Sequence, residues 1–129
     1  MDDDLFEKGL ERRKATLGAD YVERNPAAAD DLTRPFQEAM TAWYWGFGWG
    51  DEALDPKTRS LINLALLGSH SLMSEWRTHC RGALTSGANE KEIRAVIHVI
   101  GIHAGVPRAL ECFRAAREVL EKRSSAPAD

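Results

Sequence analysis

The chain has 129 residues, enough for one domain with a modest core, and a formal net charge of −3. Acids and bases are interspersed with no basic tract, which excludes the electrostatic footprint of a nucleic-acid binder. The longest apolar run, Leu61 to Leu67, is broken by Asn63 and is far too short to span a bilayer.

The amino terminus, Met-Asp-Asp-Asp, is acidic where a secretory signal is basic and then apolar, so a cytoplasmic location is expected. Cys80 and Cys112 have neither metal-binding nor redox spacing. Both fall on apolar helical stripes and read as reduced core thiols. No metal site is expected.

Strand-like alternation is absent, and an all-α fold of about six helices is expected. The first covers Asp4 to Leu17, with Phe6, Leu10 and Leu17 on one side and Gly18 as its carboxy-terminal cap. A second runs from Thr33 to Trp45, with Leu32, Phe36, Ala39, Met40 and Trp43 recurring at helical spacing and Pro35 in the first turn. Gly46, Gly48 and Gly50 then break the helix amid Trp43, Tyr44, Trp45, Phe47 and Trp49. This aromatic segment reads either as packing or as a pocket wall that its glycines make adaptable, hence as a lid.

Asp55-Pro56 opens a third helix, apolar nearly all round, which must be covered on most sides by this chain or another subunit. Gly68 to Ser71 breaks the pattern. A fourth helix spans Leu72 to Ser86 and stops at Gly87. Asn89 with Glu92 resembles a capping box and starts a fifth, ending near Gly105-Val106-Pro107. The sixth runs to Arg123 with a stripe of Ala109, Cys112, Phe113, Ala116, Val119 and Leu120. Residues 1–123 read as a single domain and 124–129 as a disordered tail. On the fifth helix Ile93, Val96, Ile97 and Ile100 form a core face. Ile102 and His98 lie opposite, and an outward Ile102 predicts a homo-oligomer.

Several stretches together resemble the carboxymuconolactone decarboxylase family. They are LDPKTRSLINLALL, EWRTHCRGAL followed by Gly87, EIRAV, and AGVPRALECFRAAREVL, with weaker likeness in GLERRKATLG and around Trp45-Gly46 to Trp49. The resemblance implies an all-α fold like that of alkylhydroperoxidase D, assembled as a trimer or hexamer with active sites near subunit contacts. The redox branch of that superfamily carries Cys-x-x-Cys-x-x-x-His. His79 matches its histidine, but the cysteine positions are Leu72 and Glu75. Without thiols there, a disulfide relay at that site is chemically excluded. The decarboxylase branch has Glu and His, as here.

Glu75 and His79 are four residues apart and share a helix face. They flank Leu72, Met73, Trp76, Cys80, Ala83 and Leu84. By spacing alone they read as a proton-transferring pair working near neutral pH or as an ordinary surface pair. The resemblance favours the catalytic pair. It implies a cofactor-independent decarboxylase of a 4-carboxymuconolactone-type acid in aromatic catabolism, the β-ketoadipate pathway, with no cofactor. His79 would deliver or relay the proton and Glu75 would set its tautomer. Arg13, in the stretch resembling the family's Arg-Arg pair, is a candidate for binding the anionic substrate, with Trp45, Trp49 and His103. Arg59 and Arg81 read as solvated residues or as further cations.

Some residues leave the family pattern. His103 stands where the decarboxylases have an aromatic, and Val99 where they have His or Gln. Thr85-Ser86-Gly87 replaces Asn-Asn-Gly, and Phe47-Gly48 replaces an acidic and an apolar residue. His103 is either a group relocated from position 99 or a cap on the fifth helix. A relative acting on another carboxylated ring or lactone follows from these changes. An isomerase, dehydratase or hydrolase using the same pair, a non-enzymatic oligomeric binder and a thiol-dependent antioxidant are the competing readings.

Overall fold

The computed structural model describes residues 3–24 and 30–125. Among them are seven α-helices and one π-helix, with no strand. The chain divides into two compact units, Met1–Pro56 and Lys57–Asp129.

In the first unit, α1 (Asp3–Leu17) ends where expected, because Gly18 takes φ +96° and donates its N–H to the Lys14 carbonyl at 2.8 Å. α2 (Ala19–Arg24) follows. It was not anticipated: six residues with only Val22 buried are too few for a periodic signal.

α3 (Arg34–Met40) passes without a break into a π-helix over Thr41–Gly48. The Trp49 N–H donates to the Tyr44 carbonyl, five residues back, at 3.0 Å. This corrects the expected helix end at Trp45. Gly46 and Gly48 sit inside the helix rather than ending it. At Gly46 the reason is close approach, not adaptability. A Cβ on Gly46 would strike the Leu5 carbonyl oxygen, and one on Gly9 the Thr41 carbonyl oxygen. The two glycines let α1 cross the π-helix backbone to backbone.

The wider turn also moves the buried face. Thr41, Ala42, Trp45 and Gly46 are buried, and Trp45 and Trp49 tilt against each other at 4.7 Å between ring centroids. Of the residues that recur at helical spacing, Ala39 and Met40 are half-buried and the large side chains stay outside. Leu32 is 87% exposed, Phe36 72%, Trp43 67% and Phe47 60%. On α1 the buried line is Gly9, Arg13 and Thr16, with Phe6, Leu10 and Leu17 only partly covered.

The second unit is built on α4 (Pro56–Ser69), α5 (Met73–Thr85), α6 (Glu90–Ala104) and α7 (Val106–Ser125). Its core joins Leu64, Trp76, Cys80, Ala83, Ile93, Ile97, Ile100, Cys112 and Ala116. α4 buries Ser60, Leu64 and Gly68, while Ile62 and Leu66 remain on the exposed side. A Cβ on Gly68 would meet Ile100, the Cys112 sulfur and the Trp76 ring, so glycine lets α4 close on the core. The expected capping box is present. Asn89 Oδ1 accepts from the Glu92 N–H at 2.9 Å, and Glu92 Oε1 accepts from the Asn89 N–H at 3.1 Å. Ile102 is 78% exposed and His98 lies outside, as the periodicity indicated. α7 continues to Ser125, two residues beyond its expected end. No helix among the described residues is long and apolar enough to cross a membrane.

Candidate active site

The helix that carries Glu75 and His79 is held by its inner face. Trp76, Cys80, Ala83 and Leu84 are buried in the core of the second unit. The Trp76 indole donates to the Leu64 carbonyl at 3.0 Å, which satisfies its N–H and ties α5 to α4. Ser71, before α5, takes φ +56° and donates its hydroxyl to Glu111 of α7 at 3.2 Å. These contacts fix the rotation of α5. Glu75 then stands on the exposed side, and His79 at the half-buried edge of the core face.

That edge decides the histidine's charge. Burial pushes the His79 imidazole down from its ordinary 6.5 to about 4, while the Glu75 carboxylate pulls the other way and loses. The ring is therefore neutral at neutral pH. This corrects the expectation of a group titrating near neutrality: desolvation outweighs the carboxylate, because Glu75 is exposed and water screens its charge.

The thiols are inert. Burial raises Cys80 to about 12 and Cys112 to about 11, and both are free. Neither forms a thiolate at neutral pH, so neither serves as a redox nucleophile.

The other candidates fall in different surroundings. His103 is exposed in the last turn of α6, where a basic group suits the helix dipole. Arg81 is exposed and donates to Thr78, and Arg59 is half-buried. Arg13 is buried within the first unit. It donates to Gln37 Oε1 at 3.5 Å and to Thr41 Oγ1 at 3.4 Å, and burial lowers its affinity for its proton. Nothing in the sequence pattern marked Gln37 or Thr41 as its partners. Trp45 and Trp49 are only 2% and 9% exposed and pack as core.

A groove of about 500 Å³ runs between α6 and α7, floored by Ile93, Ile97, Phe113 and Leu120 and edged by Arg94 and Arg117. It includes neither Glu75 nor His79. Among the described residues no cluster of three or more His, Cys, Asp or Glu side chains has the arrangement of a metal site.

Comparison with known proteins identifies the family. Residues 34–118 match the model of the carboxymuconolactone decarboxylase family. A nitrosuccinic acid decarboxylase of Metarhizium robertsii is 38% identical over 109 residues, covering 84% of this chain and 76% of the relative. A 4-carboxymuconolactone decarboxylase of Acinetobacter baylyi is 29% identical over 126 residues, covering 98% and 94%.

Proposed function

The chain belongs to the carboxymuconolactone decarboxylase family and is a carboxy-lyase of that type, and we propose that it decarboxylates a 4-carboxymuconolactone-type acid without a cofactor. The observation that carries the proposal is the neutral, half-buried His79 one helical turn after Glu75.

Loss of CO2 breaks a carbon–carbon bond and leaves its electron pair on the substrate. In a lactone acid the pair moves into the conjugated carbonyl as an enolate, and carbon then takes up one proton. A cation paired with the leaving carboxylate would stabilise the ground state and oppose the reaction. A neutral imidazole in a desolvated position avoids that cost. As negative charge moves onto the acceptor oxygen, a ring N–H beside it gains a stronger hydrogen bond. The same charge raises the ring's proton affinity, so His79 relays a proton from water to carbon. Glu75 acts on the ring from the adjacent turn and biases its orientation.

A second reading has a specific observation behind it. The nitrosuccinic acid decarboxylase shares more identity with this chain than the lactone enzyme does, 38% against 29%. Val99 and His103 also stand where the lactone decarboxylases carry other groups. A nitro group next to the lost carboxylate would accept the electron pair as a nitronate, and the role of His79 would be unchanged. His103 belongs to the proposal as a substrate-selecting side chain. Burial of Arg13, Trp45 and Trp49 supports a packing role for them. Assembly as a trimer or hexamer in the cytoplasm completes the reading.

CO2 release by wild type, His79→Ala and His79→Gln, assayed on carboxylated lactones and nitro dicarboxylic acids, tests it. Turnover should fall by about 100-fold or more in both variants. Near-normal rates in both would sink the assignment. The preferred substrate separates the two readings.

A further inference from the structure

The π-helix divides its aromatics into two sets. Trp45 and Trp49 turn inward, whereas Trp43 and Phe47 turn outward and stack at 4.9 Å with their planes 6° apart. Phe36 and Leu32 extend the outward set along α3 and the turn before it, at spacings of four, seven and four residues. Each of the four is at least 60% exposed. No charged residue occurs between Thr41 and Gly50. The stacked Trp43–Phe47 pair is already rigid, so covering it costs little side-chain entropy.

We infer that this stripe is a self-association surface, on which a second copy of the chain packs its own Leu32, Phe36, Trp43 and Phe47 around a two-fold axis. The area is sufficient. An aromatic side chain buries about 150–250 Å². Three of them, roughly two thirds exposed, together with Leu32 leave on the order of 500 Å² of apolar surface per copy. Two such faces remove on the order of 1,000 Å² from water, the size at which specific interfaces begin. A single patch of this size is at the upper end of what a monomer leaves exposed. The Trp43–Phe47 half of the face carries no charge and needs no partner of opposite sign there, and self-matching of one patch is the property of a two-fold contact.

The surface gives the expected homo-oligomer a location, and it does so without reference to the reaction. In any closed assembly containing such a contact, breaking it halves the mass: a dimer becomes monomers, and a hexamer becomes trimers. Trp43 and Phe47 also become water-exposed.

The test is the mass of the full chain by light scattering and sedimentation, for wild type, for the Trp43→Arg/Phe47→Arg double variant, and for Phe36→Glu outside the π-helix. Far-ultraviolet circular dichroism and CO2 release are followed in parallel. The expected result is a wild-type oligomer whose mass halves in both variants while helicity is kept. A monomeric wild type overturns the inference. So does unchanged mass in Phe36→Glu, whether or not the double variant folds, and so does a fall to one third, which marks a three-fold contact. If mass is unchanged while only the Michaelis constant rises, the stripe covers substrate instead. If wild type releases no CO2 yet its mass halves as described, the surface stands and the decarboxylase reading falls.

Discussion

Two helices, one carrying the Glu75–His79 pair and the other the aromatic cluster, use their side chains differently. α5 places one polar pair at the edge of a buried face, so desolvation acts on a single ring and holds it neutral. The Thr41–Gly48 π-helix contains no titratable group except Tyr44, and splits its aromatics between a packed interior and an open stripe. On α5 the position of a side chain round a regular α-helix sets its charge. In the π-helix a widened turn sets which rings are inside. The same residue types would have served neither purpose with the backbone geometries exchanged.

The sharpest way to break this contrast is at the crossing that holds the π-helix against α1. Gly46→Ala should cost about 3 kcal/mol or more, because the new Cβ meets the Leu5 carbonyl rather than a flexible side-chain end. Thermal or urea unfolding followed by tryptophan fluorescence measures it. A loss well under 1 kcal/mol would mean that the close approach is not needed.

On α5 the matching perturbation is chemical. His79→Gln should lower turnover by about 100-fold or more while leaving α5 folded. Its stability should also respond differently to acid. As pH falls, the unfolded chain protonates this histidine near 6.5, while the folded chain resists until about 4. The stability held by this group is therefore complete above pH 6.5 and is lost as pH falls through 4. Wild type should lose more stability across that window than His79→Gln, as urea unfolding at a series of pH values would reveal. Equal losses would count against the buried neutral ring.

Asn89→Ala is a smaller perturbation, expected to cost about 1 kcal/mol by removing the capping box of α6 without affecting turnover. The smallest concerns Glu75. Glu75→Gln removes the weaker of the two influences on His79, so the imidazole should titrate below about 4, with turnover reduced by roughly 10-fold or less. A rise in the ring's titration midpoint would show that the sign of the coupling is wrong.

The contrast also marks what was legible in the sequence. The capping box at Asn89 and Glu92, the Gly18 cap and the Asp55-Pro56 start are local signals, and each element begins or ends there. Glu75 and His79 share a face because an α-helix puts residues four apart together, but it was the resemblance to the family that singled them out. The π-helix defeated the same reasoning: a period of 3.6 and the glycines ended the helix at Trp45, whereas the wider turn runs on to Gly48, buries Trp45 and leaves Trp43 in water. Nor does periodicity weigh desolvation against a carboxylate. Only the depth of His79 at the core edge shows that burial wins. The Arg13 contacts with Gln37 and Thr41 join residues far apart in the chain, for which the sequence carries no local mark.

The most direct measurement of the central claim is the titration of the His79 ring itself, by nuclear magnetic resonance of the isotope-labelled histidines between about pH 3 and pH 8. His79→Gln supplies the assignment. The expected result is a ring that stays neutral from pH 8 down to a midpoint near 4. A midpoint at or above the ordinary 6.5 would show a charged imidazole at work and contradict the neutral-histidine account.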